Sequence, residues 1–137
     1  MITLLTGKKG SGKTKKLIDL ANAALEKSSG NVVVVEKGLK LTYDIAHKAR
    51  LIDIENYDVQ GGKGLYGFLA GICAGNYDVT DILVDSTLKI TGTGAEVMEP
   101  LVQELTKLSK ESGANFVLSV SAADEEIPES VKEFVAK

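Results

Sequence analysis

Four short stretches of the chain are apolar without interruption: Ile2–Thr6, Val32–Val35, Ile82–Val84 and Phe116–Val120. Unbroken hydrophobicity, rather than strict alternation, suits strands of a parallel sheet covered on both faces. Between them the apolar period changes to that of a helix. Leu17, Leu20, Ala21, Ala24 and Leu25 form one stripe, predicting a helix from Lys13 to Ser28 that Gly30 stops. Val97, Met98, Leu101, Val102, Leu105 and Leu108 form a second, ending near Gly113. A weaker third covers Gly64–Ala74, and Pro128–Val135 reads as a short terminal helix with proline in its first turn. Leu51–Ile54 offers a further short strand. Strands alternating with helices require right-handed crossovers, which predicts an α/β fold: a three-layer α/β/α sandwich on a mainly parallel sheet. Thr87–Gly94, rich in Thr and Gly, reads as a mobile loop or an irregular connector.

Composition narrows the picture in three places. A length of 137 residues predicts a single domain with a real core. The net charge of −3 argues against a general nucleic-acid binder, although Lys8, Lys9, Lys13, Lys15 and Lys16 crowd one short segment. The lone Cys73, in an apolar run, excludes an intrachain disulfide and any multi-thiolate zinc site. No apolar run reaches the roughly 20 residues of a membrane helix, and the lysine-rich start has the wrong order for a secretory signal. A cytoplasmic location without membrane attachment is therefore expected.

The chemistry is concentrated at Gly7-Lys-Lys-Gly-Ser-Gly-Lys-Thr14, which matches G-x-x-x-x-G-K-[ST] in full. Glycines let the backbone curl so that successive N–H groups point at phosphate oxygens. Lys13 brings a mobile ammonium to the terminal phosphates, and the Thr14 hydroxyl is placed to meet Mg²⁺. A helix opening at this point adds its positive end. An apolar strand stops at Thr6 and a helix starts at Lys13, the context such a loop needs.

On these residues the chain resembles the P-loop nucleoside triphosphatases, whose Walker A sequence the motif reproduces. The resemblance implies binding of a nucleoside triphosphate by Gly7, Lys8, Lys9, Gly10, Ser11, Gly12, Lys13, Thr14 and Lys15. It also implies a magnesium carboxylate closing a buried strand, and Asp85, after Ile82-Leu-Val84, takes that position beside Thr14. Many of these ATPases carry a glutamate directly after that aspartate; Ser86 stands here instead. The RecA-like branch places its glutamate at the end of the strand following the first helix, which is Glu36. This residue either orients an attacking water or closes its strand as a surface charge. The last strand ends in Ser119 and Ser121, where RecA-like domains carry a polar sensor of the terminal phosphate; Ser121 is the first choice. Lys13, Glu36 and Ser121 are thus the catalytic candidates.

Arg50 is the sole arginine, so an arginine-lined kinase lid cannot be built from one chain. It either acts across a subunit boundary or forms a local ion pair beside His47 and Lys48. His47 lacks a partner set for a metal, Tyr43 either stacks on a base or packs, and Lys89 is a further candidate for phosphate. No Asn-Lys-x-Asp stretch announces guanine, which leaves ATP as the expected nucleotide. The reading is a small RecA-like, Mg²⁺-dependent ATP-binding protein, a slow or partner-stimulated ATPase acting as a switch on a protein partner or a second copy. Its rivals are a small-molecule kinase of nucleoside type, lacking the four-cysteine extension usual in thymidine kinases, and a nucleotide-sensing module without catalysis.

Overall fold

Each uninterrupted apolar run becomes a strand because two layers of helices compete to cover it. The computed structural model describes residues 1–38, 45 and 48–136. Among them, β1 (Ile2–Gly7), α1 (Lys13–Lys27), β2 (Asn31–Glu36), β3 (Arg50–Asp53), α2 (Gly61–Gly75), β4 (Val79–Val84), α3 (Thr87–Thr91), α4 (Met98–Ser112) and β5 (Asn115–Ser121) follow in order. The sheet runs β1-β5-β4-β2-β3, and every ladder in it is parallel.

Side-chain parity divides the core in two. Leu4, Val33, Val35, Ile82, Val84, Phe116 and Leu118 face α2 and α4, whereas Leu5, Val32, Val34 and Leu83 face Leu17 and Ala21 of α1. Both faces of β2 are therefore dry, and its four consecutive valines are buried. The fold is α/β, with an all-parallel five-stranded sheet and helices on both sides, as the pattern predicts. The extra strand at Leu51–Ile54 is real and starts at Arg50, which takes that residue out of any helix and onto the sheet edge. Tyr43 and His47 lie outside the described residues.

Two expectations need correction. Thr87–Gly94 is not a loose loop: its first residues form α3, with Thr87, Ile90 and Thr91 buried. Gly92, at φ 72°, ends that helix by donating its N–H to the Leu88 carbonyl at 2.8 Å. Insertion of Ile90 into the core outweighs the poor helix propensity of the threonines. The terminal segment is a 3₁₀ turn, Glu129–Phe134, not an α-helix. Val135 then bridges Leu4, and the Ala136 N–H donates to the Leu4 carbonyl at 2.8 Å, which covers the outer edge of β1.

Leu17, fully buried, is the residue that seats α1 on the sheet. Leu17→Ala is expected to lower unfolding free energy by about 2–5 kcal/mol in denaturant titration. A loss below about 1 kcal/mol would show that α1 is not held by this contact.

Candidate functional site

Parallel strands all present their carboxyl ends at one rim, and that rim carries the polar residues. β1 leads into a loop whose backbone is dictated by glycine: Gly7, Gly10 and Gly12 have φ of 135°, 88° and 91°. Such values cost an L-residue roughly 1–2 kcal/mol each. The Ser11 N–H donates to the Lys8 carbonyl at 3.1 Å and closes a turn. Gly12 is the N-cap of α1 and supplies no side-chain cap. The first turn holds no acidic residue, yet it carries Lys13, Lys15 and Lys16.

This is the reverse of normal helix chemistry. The N-terminal N–H groups need acceptors, and the helix end carries partial positive charge that favours carboxylates nearby. Here three cations stand where an anion belongs. A bound polyanion resolves both deficits at once.

Lys13 is 8% exposed. Its ammonium donates to the Lys8 carbonyl at 3.0 Å and to the Ser11 hydroxyl at 3.4 Å. Burial lowers its pKa below 10.5, and the negative charge of Asp85 opposes that shift. The Lys8 side chain is exposed, and its part in the loop is through its carbonyl. Lys15 points along the helix toward Asp19, 3.8 Å away, with both side chains solvated.

The opposite wall comes from the neighbouring strands. Because β5 lies between β1 and β4, its end separates the loop from Asp85. Asp85 extends the β4 ladder by donating its N–H to the Val35 carbonyl at 2.9 Å. Its Oδ1 accepts the Ser119 hydroxyl at 3.1 Å, and its Oδ2 accepts the Ser86 hydroxyl at 3.3 Å. The Ser119 oxygen in turn accepts the Ser86 N–H at 2.7 Å. That bond holds Ser86 in the left-handed region at φ 58°, a costly conformation for a residue with a side chain. A carboxylate fixed from two sides cannot swing away. The Thr87 hydroxyl, also fully buried, has no hydrogen-bond partner among the described residues.

Between the walls lies a cleft of about 720 Å³, whose lining includes Lys9, Lys13, Thr14, Asp85, Lys89 and Ser121. Of the residues singled out in the sequence, Lys9, Gly10, Gly12, Lys13, Thr14, Asp85 and Ser121 line this one cleft. Gly7, Lys8, Ser11 and Lys15 are outside the lining, the first three as parts of the loop framework. Glu36 closes β2, one strand from Asp85, and is 1% exposed; the cleft surface does not include it. Arg50 is on the far edge strand.

The sequence offers Ser119 and Ser121 as sensors of a terminal phosphate and does not reveal the contact that the structure gives Ser119, whose hydroxyl clamps the Asp85 carboxylate. Strand period puts both serines on the face of Asp85, and the β4–β5 register, with Leu83 beside Val117, sets Ser119 rather than Ser121 opposite it. Leu83 and Asp85, and likewise Val117, Ser119 and Ser121, alternate onto the face that α1 covers.

Among the described residues no cluster of three His, Cys, Asp or Glu side chains exists, so an all-protein cage is absent. The Asp85 carboxylate and the Thr14 hydroxyl line the same cleft and are oxygen donors of the type a hard cation such as Mg²⁺ takes together with phosphate oxygens and water. No family model matches the chain, and no curated protein sequence matches it. No helix among the described residues is long and apolar enough to cross a membrane.

Two outcomes follow from this geometry. A Cβ on Gly7 would collide with the Ser11 side chain, whereas one on Gly12 meets open space and only the backbone strain remains. Gly12→Ala should cost about 1–2 kcal/mol in denaturant titration and Gly7→Ala clearly more; equal losses would contradict the loop conformation. The second concerns Lys13, whose folded pKa lies below its value of 10.5 in the unfolded chain. Between those two values the unfolded chain binds more protons, so stability rises with pH through that window. Below it, the buried cation is a fixed cost. The stability advantage of Lys13→Met over the parent should therefore shrink as pH is raised from neutral to alkaline, and a pH-independent difference would refute the assignment.

Proposed function

We propose that this chain is a Mg²⁺-dependent ATP-binding protein of the P-loop, RecA-like kind, a slow ATPase that works as a nucleotide switch. The observation that carries the reading is the uncapped N-terminus of α1. It lies behind three left-handed glycines, has lysines where carboxylates belong, and faces a fixed aspartate across a cleft. The loop N–H groups and Lys13 would hold the phosphates, with the ammonium moving from the Lys8 carbonyl to an oxygen of the ligand. Thr14 and Asp85 would hold Mg²⁺, which supplies charge neutralisation and orients the terminal phosphates. ATP is chosen over GTP because the chain has no Asn-Lys-x-Asp stretch.

Slow turnover follows from what the cleft lacks. Asp85 is the one carboxylate in its lining among the described residues, and it is committed to two serine hydroxyls. Glu36, the proposed base, is buried outside the cleft surface and needs a rearrangement to reach a water. The lining holds no guanidinium. Both shortfalls favour stimulation by a partner or a second copy. The switch itself would be α3, which starts two residues after Asp85 and carries Lys89 into the cleft.

Calorimetry with Mg²⁺ and a non-hydrolysable ATP analogue should give saturable binding in the parent. Lys13→Ala should weaken it at least about tenfold, the scale of one charge-assisted contact. Asp85→Asn should retain nucleotide but lose most of the magnesium dependence. Affinity should also fall as pH rises through the lowered Lys13 pKa, since only the ammonium attracts phosphate. No heat from millimolar nucleotide, with Lys13→Ala indistinguishable from the parent, would end this reading.

A further inference from the structure

The rim has a second pocket, on the other side of α3. It occupies about 310 Å³ over the carboxyl ends of β2 and β3, at the small end of the range for ligand sites. Ile54 and Ile90, each 2% exposed, form its apolar part. Around them stand Lys37, Glu55, Asp58 and Lys89, with Gln60 and Thr91 adding neutral polar groups.

Three observations separate this pocket from an ordinary surface dent. The first is position. In parallel α/β sheets ligands bind in crevices beyond the carboxyl ends of the strands, and this crevice is of that kind. The second is charge. Two ammonium groups and two carboxylates share one concavity, yet none forms an ion pair among the described residues, where the two ion pairs are Lys15–Asp19 and Lys132–Glu129. The third is backbone. Asp58 is held at φ 53°, and Gly61 at φ 69° opens α2 a few residues later. Asp58 and Ser86 are the two described non-glycine residues with positive φ, and Ser86 is already part of the phosphate cleft. Asp58 ends the turn Ile54–Tyr57, and aspartate tolerates the left-handed region better than most residues, so the chain is fixed here at modest cost.

We propose that this pocket binds a small zwitterionic molecule of amino-acid type. The ligand's ammonium would be received by Asp58 and Glu55, and its carboxylate by Lys37 and Lys89. The net formal charge of those four side chains is zero, which disfavours simple anions and simple cations alike. The isoleucines leave room for a modest apolar portion. Lys89 lines this pocket and also the triphosphate cleft, so one side chain would feel both occupants. Zwitterion binding does not depend on the triphosphate reading and is testable without nucleotide.

The test is an amide chemical-shift titration of the nucleotide-free protein with free L-amino acids at millimolar concentration. Acetate and ethylammonium serve as the single-charge controls. At least one amino acid should shift the amides of Lys37, Asp58, Gln60 and Thr91 saturably, and neither control should. Asp58→Asn keeps a side chain that tolerates the left-handed backbone, and Lys37→Gln keeps length; each should weaken the response about tenfold, the scale of one charged contact. The proposal fails if no amino acid gives a saturable shift, if both variants respond as the parent does, or if acetate alone or ethylammonium alone reproduces the effect. Loss of ATP binding elsewhere leaves each of these outcomes intact, so the two readings fail separately.

Discussion

A sheet buried on both faces has to be parallel in a chain of this pattern, and from that constraint the rest descends. Each crossover helix returns the chain to the same side, so every strand ends at one rim. The faces are given over to Val, Ile, Leu and Phe, and the core has no space for unpaired charge. Polar chemistry is left with the strand ends, where backbone groups also run out of ladder partners. The glycine loop after β1, Asp85 after β4, Ser121 at the end of β5 and Asp58 beyond β3 all share this rim.

Strand order then sorts the rim into compartments. With β5 inserted between β1 and β4, the glycine loop and the aspartate stand apart by the width of one strand. Ser119, from the inserted strand, fills the gap with hydrogen bonds instead of bulk. Pairing β2 on the far side of β4 moves Glu36 away from the loop and toward the second pocket, whose wall begins with Lys37. α3 is the partition between the compartments. It is anchored by Ile90 below and capped by Gly92, while Lys89 is exposed at the boundary. Its first residue follows Ser86, held at positive φ, whose hydroxyl bonds the carboxylate of Asp85, so this five-residue helix is tied directly to the aspartate.

The tension at the start of α1 gives the proposed function its physical force. A folded protein rarely leaves lysines at an uncapped helix N-terminus, since both the dipole and the orphan N–H groups disfavour it. Burial of Lys13 adds to the cost, as its lowered pKa records. Features that oppose stability in isolation are expected where a ligand completes them.

The sequence alone determined the α/β class, the positions of the four long strands and three long helices, and the phosphate-loop candidate. Those depend on local rules: unbroken apolar runs, helical period and glycine spacing, each readable within a window of about a dozen and a half residues. It also pointed to Asp85, since a carboxylate ending an apolar triplet sits at the rim whatever the strand order. What only the tertiary structure decided was who stands beside whom. That Ser119 clamps Asp85, that Thr87–Thr91 is a buried helix, that Glu36 is outside the cleft, and that Asp58 and Lys89 share a pocket all depend on which strands are neighbours. Strand order is settled by the summed packing of both layers, and no single stretch of chain contains that sum.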